Sequence, residues 1–414
     1  MIEFRSGRAY CQDAPLTDLA PRFGTPLYVY SKQRLAANYR RVSLAFAALG
    51  ARVCYSVKAN GNGAILRLLR EWGSGFDVVS GGELYRSLHI GAEPERIVFA
   101  GVGKTEAELR FAIESRVGWI NVEAREELEA LDAIAAALGR RPRVALRLNP
   151  AVEADTHHHI ATGGRRSKFG IDRDEAGRLL ADAARFAQLD LAGLHIHIGS
   201  QLASPQATVA AVRTALTLIE RYRLPMLDIG GGFPVDYHPG DSIPLPEPSA
   251  FAEALTPWLR DRGLELLIEP GRSIVADAGL LLTRVLNVKQ RAGRQIVVVD
   301  AGMNDLLRPA LYDAYHPIVP LDPGPGEPVA TDVVGPVCES ADAFARDRAL
   351  PPLKRGDLLA ITHAGAYGMA MSSNYNSRPR PAEVLIDGAS VALIRRRETL
   401  EDLVATEIKD EEGG

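Results

Sequence analysis

Cysteine is scarce in this chain. Only Cys11, Cys54 and Cys338 occur among 414 residues. A set so small and odd in number builds no disulfide framework, and it points to a reducing, cytoplasmic setting. No apolar stretch reaches the ~18 residues needed to span a membrane. The opening Met1-Ile2-Glu3-Phe4-Arg5 lacks the basic-then-apolar pattern of a signal peptide. Charge of one sign is also missing as a block: 48 basic and 52 acidic residues are interleaved to a net −4. That removes the basic footprint a nucleic-acid partner would need. Internal repeats and low-complexity tracts are absent, so solenoids and linker-rich architectures are excluded as well.

What remains is an ordinary globular composition, long enough for two or three domains of about 150 residues. Short β-branched runs alternate with helical patterns through the first two thirds. Strands are expected at residues 52–57, 76–79, 97–100, 117–122, 143–148, 191–198, 225–229 and 264–268. Helical periodicity falls between them, for example at 64–72, 83–89, 105–115, 125–138 and 205–222. Eight such repeats predict a (β/α)8 barrel. A doubly wound open sheet is the competing reading. It is disfavoured by the count of eight and by the lack of a glycine-rich dinucleotide fingerprint after the first strand. Beyond residue 271 the pattern changes to strands without long helices, at 295–300, 331–334, 357–361, 383–386 and 390–394. The expected organisation is α/β: an N-terminal segment 1–25 packing with a β domain, a barrel over 26–270, and a C-terminal, mostly-β domain over 271–414.

Barrel enzymes place their chemistry at the C-terminal ends of the strands. The first strand runs into Lys58 and the second into Asp77-Val78-Val79-Ser80. The sixth carries His195-Ile196-His197 and then Gly199-Ser200, the seventh ends in Gly230-Gly231-Gly232, and the eighth in Glu269-Pro270-Gly271-Arg272. Each has a plain reading. A lysine at a strand end is usually solvated, but a desolvated one becomes a nucleophile or imine former. A glycine triplet makes a tight turn, and it also exposes consecutive N–H groups that suit a phosphate. Two histidines two apart on a strand point to one side, as a metal-ligand pair or as one packing and one ligand-facing ring. A glutamate ending an apolar strand needs a cationic or hydrogen-bonding partner. Taken together they are the parts that hold pyridoxal 5′-phosphate: an imine-forming lysine, a phosphate turn, a flat ring to stack and a carboxylate for the pyridine nitrogen.

The chain resembles the diaminopimelate decarboxylase family, fold-type III pyridoxal-phosphate enzymes related to ornithine decarboxylase and alanine racemase. The resemblance rests on YSVKAN at 55–60, HIHIGSQ at 195–201, GGGFP at 230–234, EPGR at 269–272, AGMNDLLRPALY at 301–312, GPVCES at 335–340, AGAYG at 364–368 and SSNYNSRPRPAE at 372–383. It implies the barrel-plus-β-domain fold and a carboxy-lyase that converts meso-2,6-diaminopimelate, at its D centre, to L-lysine and CO2 in the last step of lysine biosynthesis. By the same resemblance, Lys58 forms the imine, His197 stacks on the ring, and Glu269 meets the pyridine nitrogen. Ser200, Gly230, Gly231, Gly232, Pro270, Gly271, Arg272 and Tyr367 surround the cofactor. Arg272, Arg308, Tyr312, Glu339 and Tyr367 bind the substrate. Cys338 is the proton donor, and it reaches the site with Glu339 from the partner subunit of a homodimer. No metal and no membrane or nucleic-acid partner is implied. Two departures from the family pattern stand out: His158-His159 in a loop where only the preceding histidine is common, and Thr362-His363 where an aspartate is frequent. The alternatives are a decarboxylase of D-lysine, D-ornithine or a carboxylated polyamine on the same fold. More distant are a metal-dependent barrel hydrolase and a non-catalytic pyridoxal-phosphate carrier.

Overall fold

The structure is a computed structural model that describes residues 1–152, 167–238, 244–291 and 293–408. The chain divides into two compact units. One comprises Ala37–Asp236 and Asp241–Ile274; the other comprises Met1–Ala36, Tyr237–Gly240 and Val275–Gly414.

The first unit is a closed barrel of eight parallel strands: β1 (Arg52–Ser56), β2 (Gly75–Val78), β3 (Ile97–Phe99), β4 (Trp119–Val122), β5 (Arg143–Asn149), β6 (Asp190–Ile196), β7 (Met226–Asp228) and β8 (Glu265–Ile268). Each pairs with its successor, and β8 closes on β1 through Leu267↔Arg52 and Ile268↔Val53. The strands carry continuous apolar runs, not alternating ones, because both faces of a parallel barrel are covered. Cys54, Val98, Trp119, Ala145, Met226 and Leu267, drawn from six strands, meet in one buried cluster, which is possible only inside the barrel. Gly193 of β6 leaves room for that cluster, since a Cβ there would lie 2.7 Å from the Met226 methyl. Helices follow the strands, and the loops before them supply caps: Asn62 accepts from Ala64 N, Ser80 from Glu83 N, and Thr105 forms a capping box with Glu108.

The second unit is built on a nine-stranded sheet. Its spine is the 13-residue strand Gly279–Arg291, which pairs antiparallel with Arg294–Val299, Leu358–Ile361 and Leu27–Ser31. Leu27–Ser31 is fully buried and also pairs parallel with Ala382–Asp387. Residues 26–31, expected to open the barrel, therefore belong to the β sheet: their backbone partners lie more than 240 positions away in sequence. At the other junction, residues 271–274 stay with the barrel unit. A small N-terminal sheet, Glu3–Arg5, Arg8–Cys11 and Ala14–Pro15, packs its Ala9, Cys11 and Ala14 onto the Leu27, Val29, Leu280 and Leu282 core. Among the described residues, no helix is long and apolar enough to cross a membrane.

Candidate active site

In the barrel unit the polar strand ends converge. β1 stops at Ser56, and Lys58 rides on the 3-10 turn Val57–Ala59 just beyond it, one step further than the expected strand end. Its Nζ donates to Oδ2 of Asp77 at 2.9 Å, and Ser56 Oγ donates to the same oxygen at 2.7 Å. The Asp77 side chain is fully buried, whereas Lys58 keeps 37% of its side chain exposed. Burial and the nearby Glu269 push the Asp77 carboxyl above its ordinary range, while Lys58 and Ser56 pull it back in part. The lysine thus sits at the edge of the cleft, reachable, with an acceptor for its proton beneath it.

Glu269 follows β8 and is buried. Its Oε2 lies 3.3 Å from Nε2 of His195, too poorly aligned for a hydrogen bond, and its Oε1 has no hydrogen-bond partner. Burial favours its neutral form, but His195 and Lys58 outweigh that and hold the carboxyl well below the usual range. The reverse holds for Asp228 at the end of β7. Burial and the charge of Glu269 push it well above the ordinary range, while its Oδ1 accepts from Gly230 N at 2.9 Å. The two histidines separate in role. His195 lies on β6, buried among these carboxyls, whereas His197 stands just past the strand end, half-buried. Burial, Lys58 and Arg147 hold the His197 imidazole well below its ordinary range, so it is a neutral ring.

The glycine turn is tightly specified. A Cβ on Gly230 would lie 2.5 Å from the Ile196 carbonyl oxygen, one on Gly231 2.3 Å from that of Glu269, and one on Gly232 2.7 Å from that of Gly199. Gly230 and Gly232 also take positive φ. Two of the N–H groups are already used: Gly230 donates to Asp228 and Gly231 donates to Nδ1 of His197 at 3.2 Å. The expected row of exposed donors is therefore reduced, and the triplet contributes chiefly closeness of approach. Beside it, Arg272 Nε donates to Ser200 Oγ at 3.2 Å, and Gly271 packs on Ser56 and Ala59.

These features fit a pyridoxal ring and its phosphate: a buried carboxylate oxygen without a partner, a backbone turn with no space for side chains, a neutral ring and an accessible lysine. A model for the pyridoxal-dependent decarboxylase, pyridoxal binding domain matches residues 32–276. A diaminopimelate decarboxylase of Aquifex aeolicus is 44% identical over 408 residues, spanning 97% of this chain and 96% of that protein. The one from Pseudomonas aeruginosa is 46% identical over 411 residues, 98% of each. The chain belongs to the diaminopimelate decarboxylase family of pyridoxal-dependent decarboxylases. The crystal structure of the Helicobacter pylori diaminopimelate decarboxylase complexed with L-lysine superimposes with a TM-score of 0.89 at 39% identity, covering 94% of this chain and 98% of that one. Like its family, this decarboxylase is a carboxy-lyase with pyridoxal phosphate as cofactor and a small amino acid as substrate. The buried His195, Asp228 and Glu269 have ligand atoms within 4.8 Å of one another, as a metal site would. Within that cluster His195 lowers the Glu269 carboxyl and Glu269 raises that of Asp228.

The remaining residues named by the resemblance lie in the β unit. Arg308 opens the short helix Arg308–Tyr312 and is buried, while Tyr312 at its end is half-buried. Cys338 and Glu339 are exposed. Cys338 N donates to Asn376 Oδ1 at 3.2 Å, and Glu339 accepts from the Tyr375 hydroxyl. Tyr367 is half-buried at a positive φ of 56°, in the left-handed region. The histidines at 157–159 lie outside the described residues. Sequence reasoning gave no role to Asp77 or Asp228. The signal was present, as a single carboxylate inside each apolar strand end.

Proposed function

We propose that this chain decarboxylates meso-2,6-diaminopimelate at its D centre to give L-lysine and CO2, the last step of lysine biosynthesis. The observation that carries this reading is the full-length likeness to diaminopimelate decarboxylases, which spans both units. Lys58 would carry the cofactor in the resting enzyme, and Asp77, which accepts from its Nζ, would take up a proton when that amine bonds the cofactor and return it when the substrate amine frees the lysine. His197, neutral and flat, covers one ring face. Ionised Glu269 keeps the pyridine nitrogen protonated. Ser200, Gly230, Gly231, Gly232, Pro270, Gly271 and Arg272 would enclose the phosphate end. Bound there, pyridoxal phosphate accepts the electron pair left when the Cα–carboxylate bond breaks.

Arg308, with Tyr312 and Tyr367 of the same unit, reads the carboxylate of the L centre, which stays in the product. A buried arginine built for that carboxylate rejects ornithine, which has none at its distal end. The Cys338 thiol returns a proton to Cα, and Glu339 meets the distal ammonium. Both are exposed on their own unit, so a second copy completes the site in a homodimer: the partner subunit's Cys338 serves Lys58. Three free cysteines are consistent with the cytoplasm as the place of work.

The test loads the purified protein with pyridoxal phosphate and follows CO2 and L-lysine from meso-diaminopimelate beside D-lysine and L-ornithine. The expected result is L-lysine from the first and little turnover of the others. Release of CO2 from D-lysine or L-ornithine, with no L-lysine formed from meso-diaminopimelate, would overturn the substrate assignment. Lys58→Ala is expected to abolish both turnover and the visible band of the cofactor bound to lysine.

A further inference from the structure

Arg308 does not stand alone in its unit. Its Nη1 lies 3.0 Å from Nε2 of His316, and its guanidinium carbon lies 4.7 Å from the centre of the Tyr237 ring. His316 is fully buried, and its Nδ1 lies 2.9 Å from the carbonyl oxygen of Thr362. Tyr237 meets the His316 ring edge-on at 5.5 Å. Chemistry fixes the protons. An arginine has only donors, so Nη1 donates and Nε2 of His316 must accept. The one remaining proton of a neutral imidazole is then on Nδ1, where it donates to Thr362. The carbonyl thus selects the tautomer, the tautomer offers a lone pair to Arg308, and the ring of Tyr237 closes the third side. Thr362-His363, the pair that departs from the family pattern, supplies the carbonyl at one end of this chain.

We infer that His316 is a positioning residue for substrate-carboxylate recognition, holding the Arg308 guanidinium in one orientation through its Nδ1–H tautomer. It touches neither substrate nor cofactor and acts through Arg308, so the inference rests on the reading that Arg308 binds the carboxylate. A pre-aimed guanidinium loses less freedom when a carboxylate docks in a bidentate fashion. The consequence is selective. Ligands that carry the L-centre carboxylate depend on His316, and ligands that lack it do not.

L-lysine and cadaverine differ by that one carboxylate, so their affinities for the pyridoxal-phosphate-loaded enzyme isolate the effect. His316→Phe is expected to weaken L-lysine binding by about tenfold or more, the scale typical of outer-shell partners. Cadaverine binding should change less than about twofold, because no carboxylate is read. His316→Gln places an amide oxygen near the former Nε2 and should restore most of the L-lysine affinity. Nitrogen-15 histidine spectra of the wild-type holoenzyme provide a readout that needs no variant to fold, and His316 should appear as the neutral Nδ1–H tautomer. Equal weakening of both ligands, unchanged L-lysine affinity in His316→Phe, or an Nε2–H tautomer overturns the proposal. Arg308→Gln separates the two levels. If it leaves the ratio of the two affinities unchanged, the Arg308 assignment fails; if it collapses the ratio and His316→Phe does not, only the positioning role fails.

Discussion

At the scale of single residues, burial decides behaviour. Cys11 is buried and its thiol is pushed up to about 11 by desolvation; Cys54 lies inside the barrel, and burial raises it well above the ordinary range. Cys338 is exposed. The separated chain at pH 8 should therefore show one fast-reacting thiol toward an aryl disulfide reagent, slowed in the dimer where a second copy covers Cys338, and three only after denaturation. Cys338→Ser should remove the fast one, and a second fast thiol would contradict the burial argument. Asp228 gives a pH prediction. Its folded value is raised, so above the ordinary carboxylate range near ~4 the folded state holds a proton that the unfolded chain has lost, and stability falls as pH rises. Asn imitates the protonated acid and can still accept from Gly230 N. Relative to wild type, Asp228→Asn should therefore gain thermal stability between pH 5 and pH 8, by about 2 °C or more. An unchanged difference across that interval would show that Asp228 is ionised in the fold. Lys58, His197 and Glu269 were legible in the sequence because each ends an apolar strand with a group that has no packing reason to be there. Asp77 and Asp228 were not assigned a role, since their meaning depends on strand neighbours. Ser56 faces Asp77 across β1–β2, and His195 faces Asp228 across β6–β7. No spacing within one strand encodes that register.

At the scale of elements, the glycine turn after β7 is the most constrained segment of the site. Backbone lies on both sides of it, and the Glu269 N–H donates to the Gly230 carbonyl at 2.9 Å, so neither strand end can retreat. Gly230→Ala, at a positive φ of 68°, places a methyl 2.5 Å from a backbone oxygen. Such overpacking costs about 1–3 kcal/mol, and the displacement should loosen cofactor retention by about tenfold or more. Gly50→Ala is the control. Gly50 also has positive φ but faces open space, so it should cost about 1 kcal/mol and leave cofactor binding untouched. Equal effects from both would mean that backbone conformation, not space, governs the turn. Elements whose partners are adjacent in sequence were readable: all eight barrel strands appear within a few residues of the β-branched runs. Leu27–Ser31 was not read as a strand, and the barrel boundary was expected at residue 26, because its partners Gly279–Leu282 and Ala382–Ile386 lie far away in sequence. Gly279–Arg291 escaped because its pattern changes midway, fully buried at first and then alternating toward exposure, so no single period describes it.

At the scale of the whole molecule, the exposed Cys338 and Glu339 bear on assembly. A proton donor in open solvent offers no control over which proton reaches Cα, and water competes at every turn. Covering these residues with a second copy through a two-fold interface would give each site a lysine from one chain and a thiol from the other. That arrangement has a consequence that a self-contained site lacks. Lys58→Ala and Cys338→Ala homodimers should each be inactive, or nearly so, because every site lacks one of the two groups. When the two variants are mixed in equal amounts and allowed to exchange subunits, half of the dimers are mixed. In each mixed dimer one site carries both defects and the other carries neither. Activity should then rise to about a quarter of the wild-type value, with the single intact site per mixed dimer showing normal KM. If each chain supplied its own thiol, mixing would restore nothing, whatever the degree of exchange. Subunit exchange followed by mass-tagged variants distinguishes a true absence of rescue from a failure to mix.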